Sequence, residues 1–353
     1  MSAKLYNDAI GLLRRLVATP SFSREEAGTA AVIAEALQEA GVEGVRRSGN
    51  NVWVRNRHFD EARPTILLCS HHDTVRPADG WTRDPFTPTV KEGRLYGLGA
   101  NDAGASVVAL AEVFRHFYDH KGLKYNLILA LVGEEEISGA GGVRSILPEI
   151  GAVDFAIVGE PTGMRLAVAE RGLLVLDCVA HGVAGHAARN EGENAIYKAI
   201  SDIEWFRTYR FPLVSPLLGE VKMSVTVISA GTQHNVVPAE CRFTVDCRVN
   251  EMYTNEQVLA IVREHVTSSV TPRSTHLGSS AIAAEHPVVA AARELGLELF
   301  GSPTTSDQVA LTVPSVKIGP GQSERSHRAD EYVLLSEIDC GIDTYIELLS
   351  KLI

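Results

Sequence analysis

Thr65-Ile-Leu-Leu-Cys69, Tyr125-Asn-Leu-Ile-Leu-Ala-Leu-Val132 and Asp154-Phe-Ala-Ile-Val158 decide the fold. Each run is short, almost continuously apolar and bounded by polar or turn residues. Strands that alternate in polarity have one wet face, whereas these suit strands covered on both faces. Between the first two runs lies Gly104-Ala-Ser-Val-Val-Ala-Leu-Ala-Glu-Val-Phe-Arg-His-Phe-Tyr118, with Val107, Leu110, Ala111, Phe114 and Phe117 at helical spacing. Strand, helix and strand therefore alternate, which predicts an α/β fold: an open, mostly parallel sheet with helices on its faces.

The pattern changes near residue 170. Ala239-Glu-Cys-Arg-Phe-Thr-Val-Asp-Cys-Arg-Val249 alternates strictly, with Cys241, Phe243, Val245, Cys247 and Val249 on one face. That reads as an antiparallel strand with one wet side. Gly172–Val179 and Lys222–Ser229 read as companions, and helical stretches follow at roughly 190–207 and 254–268. The order predicts a ferredoxin-like α+β module. After about residue 275 the α/β character returns, with a helix near 287–299, a strand Ser315-Val-Lys-Ile318 and a last helix from Ser336. The expected division is a discontinuous domain, 1–168 with 276–353, and an inserted module, 169–275.

Two domains also suit a length of 353 residues. The net charge of −11 argues against nucleic acid or an anionic membrane as the main partner. The first 17 residues lack an apolar signal core, since Arg14 and Arg15 interrupt them, and no run approaches 18 apolar residues. The five cysteines are odd in number and no two stand as CxxC. They read as buried small hydrophobes in a reducing cytoplasm rather than as disulfides or thiolate ligands.

The candidate chemistry gathers where apolar strands end, the place at which open α/β sheets bind ligands. His71-His72-Asp73 follows the first run. Residues two apart in extended chain face the same way, so His71 and Asp73 can share a site while His72 points elsewhere. Gly97-Leu-Gly-Ala-Asn-Asp102 precedes the helix. It resembles a dinucleotide loop, but Asp102 stands at the third glycine position and would repel a pyrophosphate. A helix cap is the plainer reading of Asp102 and a metal ligand the sharper one. Gly133-Glu-Glu-Glu136 follows the second run, and three consecutive carboxylates there are either solvated or neutralised by a cation. Gly159-Glu-Pro161 closes the third run, and Ser326-His-Arg-Ala-Asp-Glu331 follows Ser315–Ile318. A loop histidine alone is usually incidental.

Taken together, His71, Asp102, Glu136, Glu160 and His327 form a set of imidazoles and carboxylates without thiolates, suited to zinc or a similar divalent ion. Five ligands, one of them able to bridge, suffice for two ions about 3.5–4 Å apart. Glu135 is left over as a general base.

This ordered set resembles the zinc aminoacylase family that includes acetylornithine deacetylase, succinyl-diaminopimelate desuccinylase and glutamate carboxypeptidase, and the likeness runs the length of the chain. The resemblance implies two zinc ions, replaceable by cobalt. His71 and Glu160 would hold one, Glu136 and His327 the other, with Asp102 bridging, Asp73 orienting His71 and Glu135 as base. It implies that the inserted module is a lid through which a homodimer forms. His186 in Gly185-His-Ala would reach a partner's site, and Asn235, Arg248 and, less directly, Arg171 would meet substrate. Glu134 stands where relatives commonly carry Asp. The expected activity is deacylation of an N-acyl amino acid in the cytoplasm. The favoured expectation is an acetylornithine deacetylase-like activity on an N-acetyl- or N-succinyl-ornithine or citrulline in arginine biosynthesis. A dipeptidase or carboxypeptidase on the same site is the alternative. A silent metal-binding scaffold is the other, though such a scaffold has no need of Glu135.

Overall fold

The computed structural model describes residues 3–189 and 191–353. The chain divides into two compact units. The first comprises Met1–Val168, Ile282–Phe300 and Ser306–Ile353; the second comprises Ala169–Ala281 and Gly301–Thr305.

The first unit is built on a sheet whose strands run Arg46–Ser48, Asn51–Arg55, Asn126–Val132, Thr65–His71, Phe155–Gly159, Ser315–Ile318, Leu166–Glu170 in spatial order. Its centre is parallel and its flanks antiparallel. All residues of the central strands Thr65–His71, Asn126–Val132 and Phe155–Gly159 are buried, as continuous apolar runs require. Helices Ala3–Val17, Ala105–Phe117 and Leu335–Ser350 join one core cluster, which contains Leu13, Phe114 and Tyr345. Trp53, Ile146 and Ala156 belong to a second cluster.

Register decides where the chemistry falls. His71 pairs with Val132, Ser70 with Gly159, and Gly159 with Ile318. The carboxyl ends of four adjacent strands therefore lie in one row, and residues 72–73, 133–136, 160 and 319 leave the sheet at the same edge. Gly159 and Gly319 permit close packing there: a Cβ on Gly319 would collide with Ser106 Oγ and the Glu160 carbonyl.

The second unit has a four-stranded antiparallel sheet ordered Lys222–Ala230, Glu240–Val249, Gly172–His181, Ser269–Pro272. Helices Ala195–Thr208 and Asn255–His265 complete the strand–helix–strand–strand–helix–strand order of a ferredoxin-like fold. The expected helix at 190–207 begins at Ala195; residue 190 itself lies outside the described residues. All five apolar-face residues expected on Glu240–Val249, from Cys241 to Val249, are buried.

Two expectations need correction. Cys340 is exposed, while Cys69, Cys178, Cys241 and Cys247 are buried, and all five are free thiols. Cys340 sits on the outer face of the last helix, and its Sγ lies 3.9 Å from the Thr344 hydroxyl one turn on. The helix near 287–299 stops at Glu294, because Gly296, at a φ of 71°, turns the chain into the strand Leu299–Ser302. Among the described residues no helix is long and apolar enough to cross a membrane.

Candidate metal centre

His71 is the hub of the site. It ends a fully buried strand, and its side chain is 2% exposed. Its Nδ1 lies 3.1 Å from the Asp73 carbonyl oxygen and 3.4 Å from Asp73 Oδ1. Its Nε2 lies 3.3 Å from Asp102 Oδ1, 3.7 Å from Glu160 Oε1 and 3.9 Å from Glu135 Oε2. Two sets of potential donors share it: His71 with Asp102 and Glu136, and His71 with Glu135 and Glu160. Within each set the ligand atoms lie within 4.8 Å of one another.

His327 completes the cluster from the other side. Its Nε2 stands 3.0 Å from Glu136 Oε2 and 3.6 Å from Asp102 Oδ2. Asp102 thus presents one oxygen to each imidazole, as a bridging carboxylate would. Its side chain makes no helix cap; the helix Ala105–Phe117 has no side-chain cap bond at its start.

The loop after Val132 is held by four consecutive backbone N–H groups. Gly133 N donates to Asn51 Oδ1 (3.0 Å), Glu134 N to Glu26 Oε1 (3.1 Å), Glu135 N to Asp73 Oδ1 (3.1 Å) and Glu136 N to Asp73 Oδ2 (3.2 Å). Glu134 adopts a left-handed φ of 58° and turns its carboxylate away to accept from Gly141 N at 3.1 Å. That turn sends Glu135 and Glu136 into the site and keeps Glu134 out of it.

The electrostatics fit a cation. Burial pushes Glu160 up to about 8, against the pull of His71 and with repulsion from Asp102 added. Burial also drives Glu135 well above the carboxylate range, and Glu160, Asp307 and Glu136 add to it. Burial likewise raises Glu136 despite its bond to His327. Burial opposes the charge on His71, yet bonds to Asp102 and Asp73 raise it well above the usual value. Burial works against Asp73, but His71 and Ser23, whose hydroxyl donates at 2.7 Å, hold it below its ordinary value. Four inward carboxylates that repel one another around two imidazoles form a donor set a divalent cation relieves. The residues present therefore fit the two-ion reading.

Sequence reasoning passed over several supports. Glu331, 3% exposed, accepts from the backbone N–H groups of Gly99, Asn101 and Asp102 at 2.8–3.0 Å and so fixes the turn that carries Asp102. Burial, with Asp102 nearby, pushes it up to about 8. Lys317, 2% exposed in the strand Ser315–Ile318, has its charge felt at Glu160, as does Asp307. A lysine inside an apolar run was the available signal, since lysine is almost never fully buried without a partner. His72 points away from the cluster, with Nε2 3.0 Å from the Asn50 carbonyl and Nδ1 2.9 Å from the Thr29 hydroxyl.

The remaining candidates lie in the second unit. His186 is exposed on Gly185–His186, paired with Val236, and its Nδ1 accepts from Ala188 N at 3.2 Å. The neighbouring Asn235 offers its carbonyl to Ala187 N at 3.1 Å. Arg248 makes a two-pronged bond to Asp246 at 2.8 and 3.0 Å. Arg171 is buried, and its guanidinium binds the backbone carbonyls of Leu218, Glu220 and Arg248.

A hydrolytic di-metal centre on an α/β sheet is what this arrangement defines. The chain belongs to peptidase family M20/M25/M40, whose model matches residues 67–351. Among curated relatives it is 27% identical to the succinyl-diaminopimelate desuccinylase of Xylella fastidiosa (strain 9a5c), over 96% of this chain and 97% of that one. It is 27% identical to the enzyme of the same name from Acidiphilium cryptum, over 98% of each. Among solved structures, an aminopeptidase from Bacillus cereus aligns with a TM-score of 0.78 at 18% identity over 98% of each chain. An M20-family metallo-carboxypeptidase from Sulfolobus solfataricus aligns with a TM-score of 0.72 at 19% identity, over 100% and 99%. The protein is thus a metallohydrolase of a family that acts on amide bonds and carries a dinuclear metal site.

Proposed function

We propose that this enzyme hydrolyses the amide of an N-acyl amino acid, with an N-succinyl group as the preferred acyl part. The observation that supports it is the convergence of His71, Asp102, Glu136, Glu160 and His327, with Glu135 beside them, partly buried and 3.9 Å from His71. The succinyl preference draws on the names of the curated relatives.

In this reading His71 and Glu160 would hold one divalent ion, Glu136 and His327 the other, and Asp102 would serve both. Two such ions, zinc or cobalt, would supply positive charge for a developing oxyanion and lower the pKa of a water toward about 7. Glu135 takes a proton from the attacking water as its oxygen bonds to the acyl carbon. Glu135 then returns that proton to the amine nitrogen as the C–N bond breaks. A carboxylate and a free amino acid result. Asp73 holds the His71 ring and, through two N–H groups, the loop that carries Glu135.

His186 is assigned to oxyanion stabilisation in a partner's site, and Asn235 and Arg248 to substrate contact. Arg171 drops out of that set, because its guanidinium already serves three carbonyls. A homodimer through the second unit is supported by its exposed apolar side chains, among them Tyr197 at 70% and Val227 at 58%. The cytoplasm is the proposed compartment.

The test is a panel of N-succinyl- and N-acetyl-amino acids, ornithine and citrulline derivatives included, with dipeptides alongside, scored for released amine. Turnover of N-succinyl compounds that disappears on chelation and returns with zinc or cobalt is expected. Turnover of dipeptides alone, or full activity in metal-free protein, refutes the reading.

A further inference from the structure

Of the four N–H groups that hold the Gly133–Glu136 loop, two go to Asp73. A third goes to Glu26, a residue far from the metal ligands in sequence and 0% exposed. Glu26 immediately precedes the helix Ala27–Glu39, and both of its carboxylate oxygens are engaged. Oε1 accepts from Arg24 N at 2.6 Å and from Glu134 N at 3.1 Å. Oε2 accepts from Asn50 Nδ2 at 2.6 Å. The contact is close: a Cβ on Gly133 would stand 3.0 Å from Glu26 Cδ and Oε1. Asn50 in turn offers its carbonyl to His72 Nε2 at 3.0 Å, and Thr29, one turn into the helix, meets His72 Nδ1 at 2.9 Å. A partly buried network therefore runs from His72 through Asn50 and Glu26 to the amide of Glu134.

The network acts on the one residue whose backbone sets the direction of Glu135. Glu134 turns at a φ of 58°, a conformation a residue with a side chain adopts only when its surroundings impose it. Glu26 is the acceptor that fixes the amide at the start of that turn. With Asp73 fixing the next two amides, the loop has no freedom to swing Glu135 away from His71. A carboxylate buried among three polar partners is expensive to keep unless it has a task, and capping is not that task, because its side chain makes no bond to the first turn of its helix.

We infer that Glu26 is a positioning residue for proton transfer, holding the Glu134 turn so that Glu135 meets the reacting water. The inference rests on the proposed role of Glu135 as base. It concerns reach rather than charge, since glutamine keeps a carbonyl at the same distance from Glu134 N, and Asn50 can turn its side-chain amide to accept from the glutamine NH2, whereas aspartate is one methylene short.

The experiment compares Glu26→Asp and Glu26→Gln in the full, zinc-loaded chain, using the best substrate of the panel. Glu26→Asp should lower kcat about 10- to 100-fold, the scale of an error of about 1 Å in a reacting group. KM should stay within about twofold and bound metal should be unchanged. Glu26→Gln should keep kcat within about fivefold. Amide hydrogen exchange, which needs no turnover, should show lost protection at Glu134 in Glu26→Asp and retained protection in Glu26→Gln. Wild-type kcat and protection in Glu26→Asp overturn the inference; so does a fall in kcat that matches lost metal. If no compound of the panel is turned over, the proposed function fails, and the exchange comparison alone decides the clamp. If Glu26→Asp does not fold, Asn50→Ala, which removes the bond to Oε2, takes its place with the same two readouts.

Discussion

The two imidazoles of the site are held in opposite ways. His71 ends a fully buried strand, is 2% exposed, and has Asp73 behind its Nδ1. His327 stands on a loop at a left-handed φ of 59°, is 53% exposed, and meets the cluster through the carboxylates of Glu136 and Asp102. The sheet register places the first; the second depends on how the loop from Ser323 to Glu331 is tied down. A ligand whose partners are already fixed binds a metal without further ordering, whereas a ligand on an exposed loop loses conformational freedom on binding. The centre therefore has a preorganised half around His71 and Glu160 and a looser half around Glu136 and His327.

The largest effect should come from the preorganised half, because the proposed base, Glu135, lies beside His71. Glu135→Ala should cut kcat by about 10²–10⁴ while both ions remain bound. Metal analysis beside steady-state kinetics checks this, and a fully active Glu135→Ala enzyme would falsify the assignment.

Support of the ligands should separate the halves next. Asp73 holds the His71 ring and the amides of both Glu135 and Glu136, so Asp73→Asn should weaken metal binding about 10- to 100-fold and reach both ions. Asp330 ties the His327 loop to Thr82, accepting from its N–H at 3.0 Å and its hydroxyl at 2.5 Å. Asp330→Ala should release one ion more readily and leave the other as tight as in wild type, by less than about tenfold. Competition titration with a chelator measures both. Equal loss of the two ions in Asp330→Ala breaks the proposed asymmetry.

The same contrast explains what could be read from the sequence. Local pattern and register are linked in the preorganised half: an apolar run that ends in His71-His72-Asp73 states both the strand and what the strand delivers. The second unit was legible for the same reason, since the alternation from Cys241 to Val249 is a face drawn in the sequence. Supports that cross the fold leave no such trace. Glu26 reads as one charge at a helix start, and Glu331 as the tail of a polar loop, yet each closes on amides more than 100 residues away. The strands Thr89–Lys91, Arg94–Tyr96 and Tyr332–Leu334, only three residues each, are too short to show a period. Arg171 is a substrate contact only by the family resemblance; the carbonyls of Leu218, Glu220 and, on the strand Glu240–Val249, Arg248 take its guanidinium up, and no local pattern announces such partners.

The smallest effect concerns protons on the looser half. In metal-free protein the bond to Glu136 raises His327 to about 9, against a partial loss to burial. A group whose folded pKa lies above its ordinary value of 6.5 binds its proton more tightly when folded. Its contribution to stability is therefore full below about 6.5 and fades as pH climbs through about 9. His327 is half exposed, so screening keeps that contribution below about 1 kcal/mol. Thermal melts of the metal-free wild type and of His327→Gln should differ most near pH 6 and converge by about pH 9.5. Ion binding reverses the slope: a liganding imidazole must be neutral, so metal affinity rises as pH climbs over the same window. Zinc-loaded wild type and zinc-loaded His327→Gln that show the same pH trend in their melts would mean that His327 does not serve the second ion, and the looser half would then rest on Glu136 and Asp102 alone.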